Sequence, residues 1–453
     1  MNSPFRLSVI AAALSCTIAT PVSAQADNAT SAAQELAEMR AQLAALVTRI
    51  DQLEGELAEE KAANAAQDAT ISANAEAVAT AAPAAEPQVA ELEKKDGWSF
   101  KPRGRLMYDV GFTSVPESTG RDDGFGNEVR RARLGASGGL GGGFGYKFEL
   151  DFAGNEVEAA DAILTYEDGG LEVAIGHHNN FQSLEELTSS LHTTFIERAA
   201  FTDAFGFERR IGASVSYSTG IVLAQAGVFT DNFDDTGTDN RGVDGRLVVM
   251  PKSGNTQFHL GGSVHYNELG QDDASVRYRQ RPLVHFTSER FVNTGNLDAD
   301  SEFGIGLEGA VISGPFHAAA EGFWQNVDMP AMTDNPTFFG GYAEVGYFLT
   351  KGDSRGYKGG KFDRTKPESP VGEGGMGSVQ LNLRYDYLDL NDAGIVGGIQ
   401  NGYLASLIWK PTDYTLFSLN YGKMDYTDAV HAKADGETDY TVDAFGIRAQ
   451  VDF

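Results

Sequence analysis

The chain has 453 residues, long enough for more than one domain, and a formal charge of −29 from 64 acidic and 35 basic residues. So acidic a balance excludes a nucleic-acid-binding role, which needs a basic face. Gly numbers 53, Pro only 14, and aromatic residues make up 10%, a mixture suited to half-buried strands joined by tight turns. After residue 24 no run reaches the roughly 18 apolar residues of a spanning helix, so any membrane crossing must use strands.

Residues 1–24 read as a secretory signal peptide. Arg6 supplies the positive end, Leu7 to Thr20 the apolar run, and Val22-Ser23-Ala24 the small-residue cleavage site. Cys16, the only cysteine, lies inside it, so the mature chain is expected to have neither disulfides nor thiolate metal sites. Residues 25–80 read as a helical segment with a seven-residue repeat. Leu36, Leu43, Ile50 and Leu57 occupy one core position, and Met39, Leu46 and Leu53 fall three residues after the first three. Spacing this regular predicts a periplasmic coiled coil, expected to trimerise, with the cell wall as a further candidate partner. Residues 81–96, with Pro83 and Pro87 among alanines, predict a linker.

From residue 97 to 453 the pattern becomes alternation with period two. Leu106, Tyr108 and Val110 oppose Arg103, Arg105, Met107 and Asp109; Ala132, Leu134 and Ala136 oppose Arg131, Arg133, Gly135 and Ser137. The chain ends with Phe445, Ile447, Ala449, Val451 and Phe453 alternating with Gly446, Arg448, Gln450 and Asp452. One apolar face and one polar face on every strand is the signature of a barrel with lipid outside and water within. At about 22 residues per strand with its share of turn and loop, the region accommodates about 16 strands. The fold expected is therefore all-β: a transmembrane antiparallel β-barrel of about 16 strands, preceded by the short coiled coil. Acidic stretches Asp231 to Asn240 and Met424 to Asp439 read as outer loops. Asp231, Asp234, Asp235 and Asp239 lack the ligand spacing of a known calcium loop, and neither a metal nor a cofactor is expected.

Arginine is distributed unusually for so acidic a protein. Arg103 and Arg105 share a face, as do Arg131 and Arg133, and Arg277, Arg279 and Arg281; Arg210 and Arg246 lie on the polar faces of their segments. An arginine at the bilayer midplane costs about 2–4 kcal/mol, so these side chains are expected to face the lumen. A row of guanidinium forks suits passage of phosphate or carboxylate, but pairing with lumenal carboxylates such as Asp109, Glu149, Asp151 or Asp244 would merely stiffen the wall. Side-chain pattern alone leaves both open. Phe125, Tyr146 and Trp324 are candidates for a stacking path in a general or carbohydrate-preferring porin. His192 beside Ser189 and Ser190 has no sign of a placed acid or oxyanion donor, so no enzymatic activity is expected.

Several ordered stretches carry a family resemblance. They include Val129-Arg130-Arg131-Ala132-Arg133-Leu134-Gly135, Tyr146-Lys147-Phe148-Glu149-Leu150-Asp151-Phe152 and Ser183-Leu184-Glu185 with Ser189-Ser190. Others are Phe195-Ile196-Glu197-Arg198, Val276-Arg277-Tyr278-Arg279-Gln280-Arg281-Pro282 and Lys351-Gly352-Asp353-Ser354-Arg355-Gly356-Tyr357. Over essentially all of 97–453 the chain resembles the phosphate-selective porins O and P. The resemblance implies a homotrimer in the bacterial outer membrane, contacting lipid and lipopolysaccharide and passively conducting small anions, phosphate or polyphosphate favoured. It also implies an inward-folded loop narrowing the pore. Arg130 and Arg131 match its paired arginines, Arg277 and Arg279 match part of its arginine row, and Phe181 to Arg198 matches its constricting loop. Ser183, Glu185, Ser189, Ser190, Glu197 and Arg198 are the loop residues singled out. The chain departs from the pattern at His177-His178-Asn179-Asn180-Phe181-Gln182, where similar proteins have a basic residue and proline. The envelope-tethering alternative acts through the coiled coil.

Overall fold

Alternation of apolar and polar side chains becomes, in space, two faces of one continuous wall. The computed structural model describes residues 97–154, 156–233, 239–270 and 274–453. The expected signal peptide, coiled coil and linker lie outside the described residues.

Sixteen strands make up the barrel. In chain order they are β1 (Lys101–Ser114), β2 (Gly124–Gly141), β3 (Phe144–Asp151), β4 (Glu158–Asp168), β5 (Leu171–Asn179), β6 (Arg209–Thr219), β7 (Val222–Phe229) and β8 (Arg241–Val249). They continue as β9 (Thr256–Glu268), β10 (Ser301–Ser313), β11 (Phe316–Asp328), β12 (Thr337–Phe348), β13 (Ser378–Asp392), β14 (Ile395–Thr412), β15 (Thr415–Thr427) and β16 (Tyr440–Asp452). Each pairs antiparallel with its sequence neighbour. β1 closes the ring on β16, with Arg105 opposite Asp452 and Ser114 opposite Asp443. The terminal Phe453 finishes the seam by exchanging backbone hydrogen bonds with Gly104 (3.1 and 3.0 Å). Closure leaves no unpaired edge, which is what permits strands to cross lipid. Among the described residues no helix is long and apolar enough to cross a membrane.

The faces divide as the alternation requires. Leu106, Tyr108, Phe148, Leu164, Ile175 and Phe445 stand exposed on the outside, while Asp109, Glu149, Asp161, Asp244 and Arg448 are buried inside. Phe125 and Trp324 are likewise outward, and Tyr146 lies on the same face of β3 as the exposed Phe144 and Phe148. The candidate stacking path of the carbohydrate-preferring alternative is therefore corrected: those rings belong to the outer wall. The outer loop expected from Met424 begins later, because Met424 to Thr427 still pair with β14 and Met424 to Tyr426 with β16.

Connections differ at the two ends. At one end β2–β3 and β4–β5 are joined by two-glycine turns; Gly169 and Gly170 adopt φ of 56° and 95°, which glycine reaches without steric cost. At the other end lie the long loops 180–208 and 269–300. One connection of the short-turn end is long. Residues 349–377, on the short-turn side, fold into a small hairpin, Gly356–Lys358 against Lys361–Asp363.

The lumen is not empty. Residues 180–208 turn inward, carrying two short helices, α1 (Leu184–Leu187) and α2 (Ala200–Ala204). Their aromatic side chains join Tyr278 of the 269–300 loop and the inner faces of β11 and β12. Phe207 meets Phe323 at 4.7 Å, Phe201 meets Phe207 at 5.6 Å, and Tyr278 meets Phe205 and Phe338 at 5.5 Å each. This apolar core, continued by Leu388, Met424 and Val442, fills the side of the barrel formed by β11 to β16. The remaining space lies against β1 to β7.

Candidate functional site

A local irregularity sets the site. Strict alternation would send Arg130 and Arg131 to opposite faces of β2. Instead Met107 pairs with Arg131 and Tyr108 with Val129, leaving Arg130 as an extra residue in a bulge. The bulge turns both guanidinium groups to the lumen while Val129 and Leu134 stay outside.

Three chambers run along this side. The first, about 290 Å³, is lined by Arg130, Arg131, Arg133, Arg198, Arg209 and Arg281, against four carboxylates. The second, about 260 Å³, has seven cationic side chains, including Arg105, Lys147 and Lys361, against three carboxylates. The third, about 790 Å³, opens beside the start of β1 and the end of β16 and has seven, including Lys101, Arg103 and Lys358, against four side-chain carboxylates. Neighbouring chambers share walls: Arg131, Arg133, Glu186, Arg198 and Arg209 line both the first and second, and Arg105, Lys147 and Lys361 both the second and third. In a protein of net charge −29, each chamber carries excess positive charge.

The expected arginines divide by partner. Arg133 bonds Asp151 (2.6 Å) and Glu149 (3.2 Å), and Arg105 bonds Glu149 and Ser190 (3.1 Å each). Arg130 grips Glu197 with a two-pronged contact at 2.7 and 3.0 Å. Arg246 is spent on Glu308 (2.8 Å), Gln225 (2.9 Å) and the Gly360 carbonyl (2.7 Å), which ties the 349–377 hairpin to the wall. Arg103 donates to Ser137 at the third chamber. Arg131 is different. Among the described residues it makes no ion pair, and its buried Nε has no hydrogen-bond partner. Arg210 also has buried nitrogens without partners, yet lines none of the three chambers. Arg277, Arg279 and Arg281 stand on the 269–300 loop instead of on a barrel strand. Arg277 bonds Asn293 (2.9 Å), Arg279 pairs by backbone in a two-residue ladder, and Arg281 faces Asp203 (3.7 Å) in the first chamber.

The loop from Ser183 to Arg198 spans the lumen and is held by far-side strands. Ser183 caps α1 and, with the Leu184 and Glu185 amides, donates to the Glu321 carboxylate at 2.7–2.9 Å. Glu185 accepts from Arg384 (2.8 Å), which also grips Glu344 (2.7 Å) and lies over the rings of Phe195 and Tyr342. Thr194 donates to Glu344, the Ile196 amide to Asn420, and the Ala200 amide to Asp386. Arg198 donates to the carbonyls of Glu185, Glu186 and Thr188, stapling the loop to itself. Ser189 lines the second and third chambers. Burial opposes the charge on Glu197, but Arg130 and Arg448 outweigh it and hold this carboxyl well below its usual range.

Sequence reasoning did not single out Lys147, Arg209, Lys361, Glu186 or the clasp Arg384. Lys147 was legible on the polar face of β3. Lys361 was not, since the hairpin that carries it lacks strand patterning. His192 has no hydrogen-bond partner on Nδ1 among the described residues, and its Nε2 lies 3.6 Å from Asp363; its amide donates to the Ser189 carbonyl. Among the described residues no cluster of three or more metal-ligating side chains occurs.

Comparison with known proteins fits this architecture. OmpT of Vibrio cholerae (in-vitro folded, trimer form) shares the fold at a TM-score of 0.51 and 12% identity, covering 79% of this chain and 100% of that one. An anion-selective porin from Comamonas acidovorans superposes equally well, at 0.51 and 13% identity over the same shares. An uncharacterized protein of Caulobacter vibrioides is 49% identical over 368 residues, covering 78% of this chain and 74% of the relative. The family model for phosphate-selective porin O and P matches residues 100–453. The chain belongs to the phosphate-selective porin O and P family and is an outer-membrane porin.

Proposed function

We propose that this porin passes small anions, phosphate foremost, along the chambers between β1–β7 and the inward loop, with residues 183–198 as the constriction. The observation that carries the reading is Arg131: a guanidinium with no ion pair among the described residues, on the shared wall of two chambers, among Arg133, Arg198 and Arg209. A permanently charged planar fork offers two parallel hydrogen bonds to a phosphate oxygen pair. Successive weak sites at chamber walls let an anion move on instead of lodging. Paired arginines such as Arg133 and Arg246 hold the wall and its inserted segments in shape. The trimer form of OmpT supports three copies per assembly.

The test is phosphate inhibition of chloride current through the purified porin in planar bilayers. Phosphate should block in a saturable way, and Arg131→Ala should weaken that block about tenfold or more, the scale of a lost charge-assisted pair. Chloride current that ignores phosphate in the wild type would refute phosphate preference.

A further inference from the structure

Five side chains line both the first and second chambers; four are arginines and one, Glu186, is a carboxylate. Glu186 is almost fully buried, with Oε2 3.3 Å from Arg198 Nε. Arg198 directs its hydrogen bonds at backbone carbonyls, so this carboxylate does not complete its shell. Arg131 and Arg209 approach it from the wall, and Glu185 precedes it on α1.

We propose that Glu186 is a specificity-determining residue that acts as a tethered competitor for permeating anions. The idea rests on the anion-conducting reading above. Four guanidinium groups around one passage would form a deep well, in which an oxyanion binds tightly and leaves slowly. A fixed carboxylate at the same partition shares those charges and repels the visitor. It makes the well shallow enough for exit, since conduction needs sites that release as readily as they bind. Glutamate on the loop backbone serves where a free anion would not, because it cannot diffuse away. Burial pushes the Glu186 carboxyl above its usual range, consistent with a group standing in a partly dehydrated throat.

Glu186→Gln in the full-length porin, with conductance measured against phosphate concentration in planar bilayers, is the test. The half-saturating concentration should fall by about tenfold, the order of one like-charge interaction at close range. Conductance should rise at low concentration and drop at saturation, so the two curves cross. A loop merely loosened by the substitution would instead raise conductance at every concentration, and that result, or superposable curves, overturns the proposal. If Glu186→Gln fails to assemble, the wild-type chloride curve decides: acidification to pH 4, below the ordinary carboxylate value that burial raises here, should protonate Glu186 and lower half-saturation, and no shift from pH 8 to pH 4 overturns the idea. Cation preference in the wild type would instead remove the underlying anion reading.

Discussion

Replacing Arg384 with methionine should undo the clasp between the inward loop and the wall. Its guanidinium is fully buried, bonded to Glu185 of the loop and Glu344 of β12, and sandwiched between the rings of Phe195 and Tyr342 at 4.5 and 4.6 Å. Methionine keeps much of the volume but leaves two carboxylates facing each other without the guanidinium that bonds them, and Arg355, the next cation, makes no hydrogen bond to either among the described residues. Removing one partner of a buried ionic group costs about 3–5 kcal/mol, most of it from the uncompensated charge that remains. Spread over the loop's docking equilibrium, this is roughly two to four powers of ten in favour of release. Single-channel recording of Arg384→Met should therefore show larger, noisier openings and a weakened preference between ions. The triple variant Arg384→Met, Glu185→Gln, Glu344→Gln should recover quieter openings, because it removes the stranded charges as well. Recordings of Arg384→Met identical to wild type would refute the clasp.

Other consequences follow from particular residues. Deleting Arg130 removes only the bulged residue and should leave a barrel that assembles, whereas deleting Arg133 shifts a regular ladder and should abolish assembly; heat-modified gel mobility reports both. Gly346→Ala places a methyl against the His317 ring and the Asn382 amide, both fully buried, and should destabilise the barrel by about 1–3 kcal/mol in urea unfolding. Burial, with repulsion from Lys410 and Arg364, holds His192 at a pKa of about 3. The unfolded chain takes up that proton first, near pH 6.5. The folded state therefore keeps this stability above pH 6.5 and loses it as pH falls toward 3, by about 2 kcal/mol at pH 5. Unfolding of wild type and His192→Gln in detergent at pH 7 and 5 should show that extra loss only in the wild type; equal losses would contradict it.

The wall was readable because lipid and water impose opposite demands on neighbouring residues, so that strands such as β1 and β16 declare both faces in the sequence. The contents of the lumen were far less so. Whether Arg130 joins Arg131 depends on a bulge set by pairing with β1, about two dozen residues upstream, and alternation carries no trace of it. Arg246 looked like Arg131 in its strand pattern, yet Glu308 and Gly360, both remote in sequence, consume its hydrogen bonds. Arg277 and Arg279 showed a shared face, yet Arg279 belongs to a two-residue ladder of a loop and Arg277 to the link that precedes it. The 349–377 segment offered a signal in its glycine-rich, unalternating composition, but its inward docking depends on contacts such as Tyr357 with His259 (2.6 Å).

Most direct for the central claim is the zero-current potential of the wild-type porin across a tenfold KCl gradient. Cationic excess in every chamber predicts chloride preference, despite a chain that is formally −29. A potential of the sign that marks potassium preference would contradict the account.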